Sequence, residues 1–313
     1  MEVADTAPFI TGEWYSTEVE YNQRDLLLYA VGIGCEELRF VYEQAPGFAA
    51  FPTYPVLLAM KGSSIDTDTP ASSDRYLGKS SLPLFGNGPP LPSLPGARLF
   101  LDAERYIERV REIPNTGMKM LLRSRLMGIH RKGTGALIET ESELTGLDGS
   151  LYYRFISSSF QVGAHSFRDS GRSKSQKVEL PSRNPDAIVE QLVPKMQAHV
   201  YRLSGDYNPL HIDGTSSMVV DGGLDEPILH GLCTLGHAAR AVLSTFAGNE
   251  PQRFRALQAR FANPVKGGCT LVTRCWMQEG MGRVVFTTEV KETGRVVISN
   301  AFMDMTLEAT AKL

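Results

Sequence analysis

The sequence predicts an α+β fold built twice, as two similar units, each with an antiparallel sheet wrapped around a long helix. Three observations carry that reading. One stretch has the apolar stripe of a long amphipathic helix, and long alternating β-branched runs follow it. The first half repeats this order of elements with a fainter signal. A polar, basic stretch separates the two halves.

In chain order, residues 23–34 (QRDLLLYAVGIG) have a helical pattern, and Pro52 to Met60 stands where the second half has its long helix. Five prolines between Pro83 and Pro95 mark an irregular surface loop, an insertion inside the first unit. Arg105 to Thr145 then matches Arg260 to Lys291 in element order, and the strand Leu151 to Gln161 matches Arg295 to Glu308. Residues 163–185 (GAHSFRDSGRSKSQKVELPSRNP) carry few apolar side chains and read as a linker. The division is therefore an N-terminal unit over 1–165, a linker over 166–185 and a C-terminal unit over 186–313.

In the second unit Asn184-Pro185-Asp186 is expected to open a helix, because proline fits the first turn. Residues 197–208 parallel 23–34, and Glu226-Pro227 is expected to open a further helix. Leu232, Leu235, Ala239, Val242, Leu243 and Phe246 then form one stripe at helical period. Beyond Asn249 the period changes to two. Residues 282–291 and 295–308 predict two long strands joined by the glycine-bearing turn Lys291 to Gly294.

Composition bounds the function. A chain of 313 residues is long enough for roughly two domains. With 42% hydrophobic and 21% charged residues and a net charge of −3, it reads as globular and lacks the basic stripe of a nucleic-acid protein. Its longest apolar stretch, Leu26 to Cys35, is shorter than the ~20 residues of a membrane span, and no leader pattern is expected at the N-terminus. Cys35, Cys233, Cys269 and Cys275 have no metal-like spacing, so reduced thiols and no structural metal are expected. The final Ala311-Lys312-Leu313 fits the Ser-Lys-Leu class of peroxisomal address and implies an import receptor as partner, although three residues also match by chance.

The densest cluster of reactive groups is Tyr201 to Gly214, YRLSGDYNPLHIDG. On a straight helix Asp206 and His211, five apart, would splay, but Gly205 and Pro209 break the helix so that both can face one cavity. An isolated D-x4-H is most often an Asx turn capping a helix. The whole string GDYNPLHID is far more specific.

YRLSGDYNPLHID, followed by EPILHGLCTLGHAARAVL, resembles the (R)-specific 2-enoyl-CoA hydratase family, called hydratase 2, of the MaoC-like group. The hydratase part of peroxisomal multifunctional enzyme type 2 belongs to this family. DLLLYAVGIG, ELRFVYE, RFANPV and VVISNAF extend the likeness over nearly the whole chain. The resemblance implies a double hot-dog fold, a stand-alone hydratase without the dehydrogenase and sterol-carrier-like domains of some members, and peroxisomal location. It implies an acyl-CoA thioester as substrate, CoA being part of the substrate and no cofactor being needed. Two fused hot dogs already make a dimer-like unit, and the family implies a further homodimer.

Adding water to a trans-2-enoyl thioester needs a base for the water, an acid for C2 and a donor for the thioester oxygen. By position in the family motif, Asp206 and His211 are the catalytic pair. His211 is read as the base and Asp206 as the group that protonates C2, with the reverse division left open because a shared water lets them exchange. Asn208 is expected to orient one of them or the water, and the N–H of Gly231, at a helix start, to serve as oxyanion donor. The resemblance also places Lys132 and Phe261 near CoA or its pantetheine arm, and Tyr207 and His230 among the substrate-contacting residues. His230 is read as a hydrogen-bonding residue at the helix start and not as a second base.

One departure stands out. Family members commonly carry His-Gly where this chain has Asp102-Ala103, and an acidic group beside anionic CoA is unfavourable. The first unit lacks the reactive string and is expected to be non-catalytic. Its small residues Ala30, Val31, Gly32 and Gly34 are expected to make room for an acyl tail. A hot-dog thioesterase and a silent acyl-CoA-binding protein are the alternative readings.

Overall fold

The computed structural model describes residues 3–63, 88–216, 224–278 and 280–306. The Pro83 end of the predicted loop and the terminal Ala311-Lys312-Leu313 lie outside these residues. Among them, no helix is long and apolar enough to cross a membrane.

Five strands of the first half are β1 (Tyr15–Asn22), β2 (Leu99–Arg109), β3 (Gly117–Lys132), β4 (Gly135–Gly146) and β5 (Leu151–Val162). Five of the second are β6 (Ala187–Val193), β7 (Phe254–Phe261), β8 (Cys269–Gln278), β9 (Arg283–Val290) and β10 (Arg295–Met305). They form one sheet in the order β1-β3-β4-β5-β2-β7-β10-β9-β8-β6. Read outward from its centre, each half has the same succession, which is what a duplicated unit produces. The two half-sheets are thus fused edge to edge, and the seam is the antiparallel pair β2–β7, with Glu104 opposite Arg260 and Ile107 opposite Leu257. Fusion leaves β1 and β6 as the sheet's two edges.

The halves differ in what fills them. In the second, helix α5 (Gly231–Ala247) buries Leu232, Leu235, Ala239, Val242 and Leu243, and Gly248 ends it in the left-handed conformation. In the first, α1 (Gln23–Gly32) touches α5, and among the described residues the place of the long helix is taken by the 3-10 turn Tyr54–Leu57 and the single turn α3 (Leu58–Lys61). Among the described residues the long helix expected at Pro52 to Met60 is not formed. The single turn includes Leu58 but ends at Gly62, whose φ of 65° suits glycine. Two further helices, α2 (Leu38–Val41) and α4 (Gln197–Tyr201), are short.

Three local expectations change. Asn184-Pro185-Asp186 opens strand β6: the Asp186 N–H donates to the Cys275 carbonyl, and its carboxylate accepts from Arg183 and the Met277 N–H. Alternating AIVEQLV then pairs along β8. Glu226-Pro227 leads into extended chain, because the Leu229 N–H bonds across to Val265, and the helix begins only at Gly231. The 163–185 stretch is pinned to the sheet at the seam. Gln176 and Gln258 exchange two hydrogen bonds, Ser175 donates to Glu104 at 2.8 Å, and the Val178 N–H donates to Asn300.

α1 and α5 meet so closely that one position has no room for a side chain. A Cβ on Gly236 would lie 2.2 Å from Ile33 Cγ2, inside a core where Ile33 is fully buried. Gly236→Ala is therefore expected to destabilise the fold by about 1–3 kcal/mol despite alanine's better helix propensity. A lower thermal midpoint checks this; an unchanged or raised one would show that the helices separate freely.

Candidate active site

The reactive string folds as a succession of short turns. Helix α4 ends in a 3-10 turn, Arg202–Ser204, and Gly205 follows with φ of 127°. Only glycine suits that conformation, and a Cβ there would also stand 2.6 Å from Lys61 Cβ. The chain reverses at Asp206, whose Oδ1 accepts the Asn208 N–H at 3.3 Å. Asn208 caps the next 3-10 turn, Pro209–His211, by accepting the Leu210 N–H at 3.0 Å. These bends bring Asp206 and His211 to one place, where the helix-start residue His230 meets them. A carboxylate oxygen of Asp206 and one ring nitrogen from each histidine all lie within 4.8 Å of one another. All three residues are buried.

The hydrogen bonds fix the tautomers. His211 Nδ1 lies 2.8 Å from the Ile228 carbonyl, which can only accept, so Nδ1 carries the proton and Nε2 keeps its lone pair. His230 Nε2 lies 3.1 Å from the Asp206 carbonyl and must likewise donate, leaving Nδ1 as a buried acceptor without a protein partner among the described residues. Burial lowers the pKa of His211, with the Asp206 carboxylate and then the Ile228 carbonyl pulling it back up. Burial, with His211 adding to it, takes His230 down to about 3. Both rings are thus held neutral. They stack at 3.7 Å, 28° from parallel. Two histidines and a carboxylate this close together are also a donor set for a metal ion.

Gly231 is the first residue of α5, where amide N–H groups precede the helix's own acceptors. A Cβ on Gly231 would touch the Phe261 ring at 3.4 Å, so Phe261 on β7 walls the same corner.

The seam adds two residues from the first unit. Arg105 on β2 is buried and pairs with Asp102 at 2.5 Å. Asp102 keeps 30% of its side chain exposed. Burial raises its pKa to about 6; Arg105 opposes the shift, and the neighbouring Asp206 carboxylate reinforces it. A β-bulge between Asp102 and Glu104 turns this strand end.

Residues 176–301 match the MaoC-like domain, and 19–75 match the MFE-2 hydratase 2 N-terminal domain. The peroxisomal enoyl-CoA hydratase 2 of Arabidopsis thaliana is 32% identical over 90% of this chain and 90% of its own. The chain belongs to the hydratase 2 family. The peroxisomal multifunctional enzyme type 2 of Drosophila melanogaster is 38% identical over 94% of this chain, which spans 47% of that longer protein. A solved MaoC-like dehydratase from Phytophthora capsici superposes with a TM-score of 0.85 at 37% identity, covering 97% of this chain and 98% of that one. The predicted hot-dog fold is the fold observed.

Within this hydratase 2 chain the predicted site residues divide. Asp206, His211, His230, Gly231 and Phe261 surround one corner. Asn208 spends its carbonyl oxygen on the turn, and Tyr207 lies under the Arg202 guanidinium at 5.1 Å. Lys132 is exposed at the end of β3, three strands from the seam, and no recorded contact ties it to the corner. The small residues at 30–34 are packed against neighbours or exposed. Ala30 is core, Val31 faces solvent, Gly32 abuts Tyr201 and Gly34 abuts His237. Sequence reasoning singled out Asp102 only as a departure and missed Arg105 and the buried Tyr201, whose ring lies 4.8 Å from that of His230.

Proposed function

We propose that this chain catalyses the reversible hydration of trans-2-enoyl-CoA to (R)-3-hydroxyacyl-CoA in peroxisomal lipid metabolism. The observation that carries the reading is a neutral His211, its Nδ1 tied to a carbonyl, with its ring converging on the Asp206 carboxylate. One water between these groups loses a proton to His211 Nε2 as its oxygen bonds to C3. The π electrons move onto the thioester, the Gly231 N–H steadies the developing enolate oxygen, and the proton taken by His211 passes through the Asp206 carboxylate to C2, so that both groups end as they began. The reverse sequence dehydrates the product. Phe261 and His230 bound the thioester, Lys132 and Tyr207 contact the CoA side, and no cofactor takes part. The N-terminal unit carries no chemistry and receives the acyl tail. The names of the relatives support the peroxisomal setting, and the family resemblance supports the (R) product.

A panel of enoyl-CoAs with chiral analysis of the product tests the reading. Loss of enoyl absorbance with an (R)-hydroxy product is expected. Release of free thiol would instead make the protein a thioesterase.

Asp102 gives this site a pH signature. Above about pH 6 it is ionised, balances Arg105 and adds negative charge beside Asp206; below about pH 6 it is neutral. A fixed negative charge disfavours the enolate, so kcat/KM is expected to rise as pH falls from 8 toward 6. His211 does not oppose this, because its lowered pKa keeps it basic there. Asp102→Asn is expected to flatten that rise and to exceed the natural chain by about threefold at pH 8. Superimposable profiles would mean that Asp102 does not act on the site.

A further inference from the structure

Among the described residues of the first unit no long helix covers the sheet, and a cavity lies beneath the turn at 54–61. About 640 Å³ of open space, mouth included, lies there. Its roof is apolar, from Val56, Ala59 and Met60. Its floor is a sheet face, and the matching face of the second half is largely apolar, with Leu257, Phe286, Ala301 and Met303 buried around one hydroxyl pair, Thr273–Thr288, that satisfies itself. In the first half the deeper end of that face is apolar too, from Ile107, Leu122, Leu144 and Tyr153. At the cavity it changes to Ser124, Thr140, Ser142, Ser157 and Ser159, with Arg105 at the margin.

A row of hydroxyls is a poor floor for a plain hydrocarbon, since each would lose water without gaining a partner. Ser124 and Ser142 satisfy each other at 2.7 Å. The hydroxyls of Thr140, Ser157 and Ser159 make no side-chain hydrogen bond among the described residues. The cavity also adjoins the chemistry by two routes. Arg105 lines it and grips Asp102, whose charge Asp206 feels, and Lys61, beside Met60, abuts Gly205, beside Asp206.

We propose that this cavity selects acyl thioesters whose tails carry hydroxyl or keto oxygens some carbons beyond C3, which Thr140, Ser157 and Ser159 recognise by hydrogen bonds while the roof covers the tail's apolar side. The inference rests on the hydratase reading and names its substrate class.

The test compares trans-2-decenoyl-CoA with its mid-chain hydroxy and keto analogues on the full chain. The natural chain is expected to favour an oxygenated tail by about tenfold in kcat/KM, the worth of one or two neutral hydrogen bonds. Thr140→Val, nearly isosteric, and Ser157→Ala are expected to bring that ratio toward one. Equal or better use of the plain chain by the natural protein overturns the inference, as does a ratio that neither substitution moves. Calorimetry with saturated decanoyl-CoA and its hydroxy counterpart reads the cavity without the chemistry. If no enoyl-CoA is hydrated yet the hydroxy tail binds about tenfold tighter, the hydratase reading fails and the cavity inference stands. Equal Kd values defeat the cavity inference whatever the turnover.

Discussion

Asp206→Asn is expected to lower kcat for enoyl-CoA hydration by about 10³-fold while leaving the fold in place. The substitution is nearly isosteric, and the local bonds it must keep are few. An Asn oxygen can still accept the Asn208 N–H, and the backbone carbonyl at 206 still accepts from His230 Nε2. What is lost is the ability to carry a proton. The thermal midpoint should stay within about 3 °C of the natural chain, because no cavity opens and no acceptor is orphaned. Stopped turnover with an intact melt assigns Asp206 to the chemistry. Retention of near-natural turnover would remove it, and a collapsed melt would make its role that of a turn former.

The site was legible where it is local. Gly205, Asn208 and Pro209 each dictate a bend within a few residues, so GDYNPLHID announces its own geometry. His230 and Gly231 were legible because a helical stripe begins just after them. The seam was not. Asp102 and Arg105 reach the corner only because β2 pairs with β7, whose residues lie about 150 positions further along the chain, and no pattern at the scale of a hairpin reports that pairing.

The same limit applies to the small residues on α1. Small residues on α1 suggested a void, but there they serve close approach of two helices: the Cys233 thiol donates to the Gly32 carbonyl at 3.3 Å, and Ile33 presses on Gly236. The cavity beneath the turn that ends at Lys61 lies over strands whose serines look in isolation like ordinary solvent-facing residues. Likewise Asn184-Pro185 carries a helix-start signal, yet strand pairing to β8 offers Asp186 and the alternating residues after it a full ladder, and tertiary pairing overrides the local cue.

His211→Ala is expected to lower kcat on the order of 10³-fold, and its combination with Asp206→Asn decides how the pair works. The single change removes the base and also leaves the Ile228 carbonyl without its donor and one face of His230 bare, so about 1–2 kcal/mol of stability should go with it. Kinetics must therefore be read well below the melt. If the two groups act through one water, either loss already stops the proton cycle, and the double variant should be no slower than the slower single one. Independent roles would instead multiply, giving a deficit on the order of 10⁶-fold. The pH dependence adds a second check. Burial lowers the His211 pKa from its ordinary 6.5, so the basic form persists below that value and the acid-side fall in natural activity should come below pH 6.5. That fall should be absent from the residual activity of His211→Ala. If it persists there, another group supplies the base, and the convergence of Asp206 and His211 would be an arrangement of the turn and not of the reaction.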